Sequence, residues 1–180
     1  MSLPASLSQA QHQRPYYEWS RGILREKLSP KTDHSRVQFK IGALLVAWGE
    51  NVGIVGGEID TNVTPSPGDT RRYLPDVGFT SFASLAAVGQ TGSRIPEIPP
   101  DLAVEILSPT QDRAYLAEKV SAYLAAGSRV VIVADPASRR FAVHRRTGVE
   151  TLLAGDVFTD PAFAGLNLDV TAVFGILDRR

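Results

Sequence analysis

Two acids stand where an acid is costly. Glu105 interrupts Leu102-Ala-Val-Glu-Ile-Leu107, a run that otherwise reads as a fully buried strand, and Asp76 follows Pro75 between the apolar stretches Tyr73-Leu74 and Val77-Gly78-Phe79. An unpaired carboxylate in such a place costs several kcal/mol or gives up its charge. Its partner is therefore a protein cation, a proton or a metal ion. Two carboxylates brought together from adjacent strands repel each other, and a divalent cation resolves that repulsion. Mg²⁺ takes carboxylates and waters, with one or two carboxylates from the protein. So held, it activates water and stabilises charge on a phosphodiester. Lys119 follows Glu105 in the next helix, on the flank of its core stripe and on the same side as Asp112. Its long side chain can reach back over the strand ends.

Each of these residues also has a plainer reading. Glu105 can pair with Arg71, Arg72 or Lys119. Asp76 can be a strand-end aspartate, Lys119 a solvated helix lysine, and His34 a capping or packing histidine. Glu18 is a further acid, and Glu58 reads as structural. Arg71-Arg72 reads as a solvated strand edge or as phosphate contacts beside Asp76, positioning a backbone rather than specifying a sequence. Arg139-Arg140 and Arg145-Arg146 read as an exposed hairpin face.

The elements that must position these groups follow from periodicity and punctuation. Residues 1–15 read as a mobile tail, rich in Ser, Gln and Ala. Tyr16 to Leu28 reads as a short helix or as strand–turn–strand. Val37, Ile41, Leu44, Leu45 and Trp48 fall at helical spacing, predicting a helix over 34–48 capped by Thr32 or Asp33 and ended by Gly49. A strand is expected at Val52–Val55, a loop at Thr64–Asp69, and one strand over Arg71–Phe79. Pro75 places that strand near an edge or makes its pairing start late. A short helix over 81–88 and a loop to Pro100 precede the central strand. Ser108-Pro109-Thr110 is expected to cap a helix with Leu116, Val120, Tyr123 and Leu124 as its stripe, stopped by Gly127. Val130–Ala134 and Phe141–His144 form a hairpin, Val149–Leu153 follows, and the tail holds a short strand near Leu166 and a helix over Ala172–Leu177. The pattern is α/β, with a mixed sheet, a parallel crossover in the middle and a β-meander at the end.

Composition bounds the rest. The 180 residues suit one domain, 43% hydrophobic and 21% charged, with 19 basic and 19 acidic residues and no net charge. A strongly basic nucleic-acid binder is excluded, although a local basic patch is not. The absence of cysteine excludes disulfides, thiolate catalysis and zinc–thiolate sites. There is no apolar run of the roughly 20 residues that span a bilayer, and no basic-then-apolar leader, so a cytoplasmic protein is expected.

The residues carry a resemblance. Pro75-Asp76, then Pro100-Asp101-Leu-Ala-Val-Glu105-Ile-Leu-Ser-Pro109, Glu118-Lys119, Tyr123-Leu-Ala-Ala-Gly127 and Ala134-Asp135-Pro136 together resemble the Uma2 family of the PD-(D/E)XK nuclease superfamily. Tyr17-Glu18 with Gly22, and Ser29-Pro30 with His34, are similar to its N-terminal motifs. The chain departs from the family pattern at Tyr115, at Val131-Ile132 and at Ile23-Leu24. The resemblance implies a single restriction-endonuclease-like domain over 16–180, a mixed β-sheet flanked by helices. It implies a Mg²⁺ or Mn²⁺ site made by Asp76, Glu105 and the Ile106 carbonyl. Lys119 then stands in for the superfamily's lysine, whose usual position is occupied by Leu107. Glu18, His34 and Asp112 are accessory candidates, and Arg71 and Arg72 are candidate phosphate contacts. The activity implied is hydrolysis of phosphodiester bonds in nucleic acid, DNA first, with a homodimer left open. The competing readings are a catalytically silent nucleic-acid-binding or protein-interaction module on the same fold, and hydrolysis of a small phosphorylated substrate.

Overall fold

The computed structural model describes residues 16–27, 31–90 and 98–178. The expected tail over 1–15 lies outside the described residues. Strands β1 (Tyr17–Ser20) and β2 (Ile23–Glu26) form a hairpin, so the strand–turn–strand alternative is the one that folds. Arg21 and Gly22 both take positive φ at its turn. Trp19 of β1 pairs with Arg72 of β5 (Asp69–Tyr73), which pairs in turn with β4 (Thr61–Ser66). The result is a four-stranded sheet of order β2-β1-β5-β4. The loop expected at 64–69 is thus corrected to a hairpin. Its register shifts between Val63 and Ser66, and Pro65 sits in that irregularity, where no ladder bond is asked of it.

A second sheet carries the larger core. Its strands are β3 (Gly53–Gly56), β6 (Val77–Ser81), β7 (Leu102–Ile106), β8 (Val130–Asp135), β9 (Arg140–Arg145) and β10 (Gly148–Leu152). Their order is β10-β9-β8-β7-β6-β3. Only the β7–β8 pair is parallel, with a helical crossover between them; the remaining pairs are antiparallel, ending in the expected meander. The single strand expected over 71–79 is divided at Leu74-Pro75-Asp76. Its first half pairs in the four-stranded sheet and its second half, starting late at Val77, lies inside the six-stranded one. Asp76 therefore stands just ahead of a strand, at the passage between two sheets, rather than within one.

Helix α1 (Thr32–Gly49) covers one face of the large sheet, with Val37, Ile41 and Leu45 fully buried against Val77, Phe79, Leu102 and Val104. Burying each such side chain contributes about 1.5–3 kcal/mol. The short α2 (Phe82–Ala87) is capped by Ser81. Helix α3 (Arg113–Ala126) covers the opposite face, with Leu116, Val120 and Tyr123 against Ala103, Val131 and Val133, joined by Val63 and Tyr73 of the smaller sheet. Successive side chains of a strand point to opposite faces. Leu102, Val104 and Ile106 accordingly belong to the α1 side, and Glu105 enters the layer beneath α3.

Two capping expectations are corrected. Lys31 is the N-cap of α1 and makes no side-chain cap bond. For α3 the cap is Asp112, not Ser108–Thr110, because Asp112 is extended and its carboxylate accepts from the Ala114 and Tyr115 amides. Gly127 ends α3 at φ 121°, as its type predicts. At the C-terminal end, β11 (Val157–Phe158) pairs with β12 (Leu168–Asp169), followed by α4 (Val170–Phe174) and a 3₁₀ turn over Gly175–Asp178. Among the described residues no helix is long and apolar enough to cross a membrane.

Candidate active site

Glu105 is 2% exposed, so its partners decide its chemistry. The Lys119 Nζ donates to its carboxylate at 2.8 Å and the Tyr123 hydroxyl donates to it at 3.2 Å. Lys119, itself buried, reaches it because α3 crosses the sheet with Leu116, Lys119, Val120 and Tyr123 all facing inward. The same ammonium donates to Glu18 Oε1 at 2.7 Å. Glu18 also accepts from the Leu74 amide at 3.0 Å and from the Tyr115 hydroxyl at 2.8 Å, which ties β1 to the inter-sheet passage and to α3. One lysine thus joins two acids that lie far apart in sequence.

Asp76 is equally enclosed. Its Oδ2 accepts from the Ile106 amide at 2.7 Å and lies 3.1 Å from His34 Nε2. Its Oδ1 is paired with Lys27 Nζ at 2.8 Å, and that ammonium also donates to the Leu74 carbonyl at 2.6 Å. The Asp76 carbonyl accepts from Gln38, and the Glu58 amide donates to the Pro75 carbonyl, so the passage is pinned on both sides. These groups meet in a cleft of about 410 Å³ lined by Glu18, Lys27, His34, Asp76, Glu105 and Lys119, with Ile106, Asp112 and Tyr115 also on its walls.

The electrostatics differ between the acids. Burial drives Glu105 up, Lys119 pulls it down and Asp76 pushes it up again, leaving it at about 7. For Asp76, burial is outweighed by Lys27 and His34, and its carboxyl lies well below the usual carboxylate range. Glu18 is also lowered, burial being outweighed by Lys119 and Lys27. Both lysines are raised: burial disfavours their charge, but Glu105 and Glu18 hold the proton on Lys119, and Asp76 holds it on Lys27. Burial and the neighbouring Glu105 push Tyr123 far up; burial and Glu18 do the same to Tyr115.

Of the residues singled out from sequence, Asp76, Glu105, Ile106, Lys119, Glu18, His34 and Asp112 all line this cleft. Asp112, however, spends its carboxylate on the α3 cap. Arg71 and Arg72 are not brought to it. Arg71 is buried against Asp69 and Glu118, at 2.6 and 3.1 Å, and Arg72 is paired with Asp60. Their alternation along β5 turns Arg71 toward Asp69 and Glu118 of α3, and Arg72 toward Asp60 just ahead of β4. The cleft's outer cations are instead Lys27 and Arg25, the latter 4.6 Å over the Tyr115 ring. Lys27 carried no recognisable signal, being one charge in the polar run Arg25-Glu26-Lys27. Tyr115 had one: it precedes Lys119 by four residues, hence on the same helix face.

Among the described residues no group of three or more His, Cys, Asp or Glu side chains is arranged to hold a metal. The residues that could hold one are fewer: Asp76, Glu105 and the Ile106 carbonyl. In an extended strand a residue's N–H and C=O point to the same side. The Ile106 N–H bonds Asp76, so its carbonyl is directed to that side as well. Two carboxylates with a carbonyl and waters suit Mg²⁺ or Mn²⁺.

Fold and cleft together define a nuclease-like α/β domain. The structure matches that of a "putative nuclease belonging to DUF820" from Anabaena variabilis with a TM-score of 0.80 and 22% identity, covering 97% of this chain and 99% of that one. A family model described as "Putative restriction endonuclease" matches residues 3–171, and the chain belongs to that family, Uma2. No curated protein matches it. Family membership supports a nuclease function in general.

Proposed function

We propose that this protein is a divalent-metal-dependent endonuclease that hydrolyses phosphodiester bonds, with DNA as its substrate. The observation that carries the reading is the meeting of Asp76, Glu105 and Lys119 on the floor of one cleft. Asp76, Glu105 and the Ile106 carbonyl would hold Mg²⁺ or Mn²⁺, which supplies an activated water and charge stabilisation. Asp76 is aimed by the Ile106 amide and His34. Lys119 spends two of its three N–H donors on Glu18 and Glu105, and its third serves a phosphate oxygen or the attacking water. Glu105, at about 7, can hold or release a proton near neutral pH. Arg25 and Lys27 line the approach for a polyanion.

Nicking of supercoiled plasmid in Mn²⁺ tests this. Wild type should nick, and Asp76→Asn and Glu105→Gln should not. One observation favours the silent module on the same fold: each acid is already paired with a lysine of the protein itself, Lys119 being shared by two of them. Absence of nicking by the wild type at every metal concentration would overturn the DNA endonuclease reading; absence of Mn²⁺ binding as well would favour the silent module.

A further inference from the structure

We infer that Lys27 is a displaceable counter-ion, holding the place of the divalent ion on Asp76 until that ion and a phosphodiester arrive. The inference rests on the metal-dependent reading and extends it to a residue outside the acid–lysine motif. The geometry is specific. Asp76 Oδ2 is engaged by a backbone amide and a histidine, whereas Oδ1, among the described residues, is paired with the Lys27 ammonium at 2.8 Å. A cation entering the cleft to bind Asp76 must contend for that oxygen.

Charge counting points the same way. Glu18, Asp76 and Glu105 are buried, and two ammoniums, Lys27 and Lys119, face them. With all three acids ionised, the cluster carries one negative charge. Adding a dication while keeping both ammoniums in place turns it positive. Replacing Lys27 on Asp76 by a dication leaves it neutral. Lys119 is the worse candidate to leave, since it bridges two acids from within the protein. Lys27 sits at the cleft wall near the end of the N-terminal hairpin, and among the described residues it also contacts the Leu74 carbonyl at 2.6 Å and Glu58 at 3.9 Å. Released from Asp76, it stays in the cleft as a mobile cation for a phosphate oxygen. It is a positioning residue, and it sets the metal affinity.

The test is calorimetric titration of the full chain with Mn²⁺, comparing wild type, Lys27→Met, Lys27→Arg and Asp76→Asn. Lys27→Met should bind Mn²⁺ tighter by on the order of tenfold, the equivalent of about 1.4 kcal/mol. Lys27→Arg should bind no tighter than wild type, because the positive charge is kept. Equal or weaker binding by Lys27→Met, with binding lost in Asp76→Asn, overturns the role of Lys27 and leaves the metal site standing. Undiminished binding by Asp76→Asn overturns both. Binding by neither wild type nor Lys27→Met also overturns the inference. Should Lys27→Met not fold, isotope-labelled reductive methylation of wild type gives a second readout. The Lys27 resonance, assigned with Lys27→Arg, should shift on Mg²⁺ addition. Saturable Mg²⁺ binding without that shift overturns the displacement.

Discussion

Lys119 is the residue on which most of the site's electrostatics turns. Removing one partner of a buried ion pair costs about 3–5 kcal/mol, because the other charge stays buried. Lys119→Met should therefore destabilise the protein by about that much at pH 8, where it strands both Glu105 and Glu18. At pH 5 the cost should be smaller, since Glu105, with its carboxyl at about 7, is then protonated. Urea unfolding at both pH values, in chelator, measures the difference; equal costs would remove Glu105 as the partner that matters. The sign for the wild type follows. A carboxyl raised in the folded state above its ordinary 4.5 contributes stability that is present below that value and lost as pH rises through about 7. Asp76 and Glu18 are lowered, so their contributions are lost in acid instead. In chelator, stability should be greatest in mildly acidic buffer, declining toward pH 8. Glu105→Gln should flatten that decline and abolish Mn²⁺ affinity; because Lys119 keeps Glu18 as its counter-charge, the stability lost in chelator should be smaller than that lost in Lys119→Met.

At the scale of elements, Asp112 is the instructive case. Its carboxylate takes the first amides of α3, so Asp112→Ala should cost about 1 kcal/mol of stability. Mn²⁺ affinity should be unchanged, and a fall in that affinity would restore Asp112 as an accessory acid. The helices were legible in the sequence because burial of one face imposes a 3.6 period, and the interior strand β7 because burial of both faces demands an unbroken apolar run. Glu105 was legible as the exception to that run. The division of residues 71–79 between two sheets was not. A proline signals that a ladder bond is missing, but not that the chain changes sheet. Nor was β4, since Pro65 reads as a breaker until the irregularity that accommodates it is seen. Lys27 was hidden for a different reason: its meaning lies in one long-range contact with Asp76.

For the molecule as a whole, 19 positive and 19 negative charges leave no field to gather DNA from a distance. Binding should rest on the cleft cations Arg25, Lys27 and Lys119. Two phosphate contacts while Lys27 stays on Asp76, or three once it is released, give a slope of about −2 to −3 in log affinity against log salt. Anisotropy titrations of duplex DNA in chelator would show it, and a slope steeper than about −6 would reveal a basic surface elsewhere. The bond between Glu18 and Lys119 joins the N-terminal hairpin to the third helix across 101 residues. During synthesis, then, the hairpin leaves the ribosome with an acid whose cation has not yet been translated. The cleft cannot reach its balanced state until that helix has emerged, so a chain arrested earlier carries the acids without the lysine that joins them.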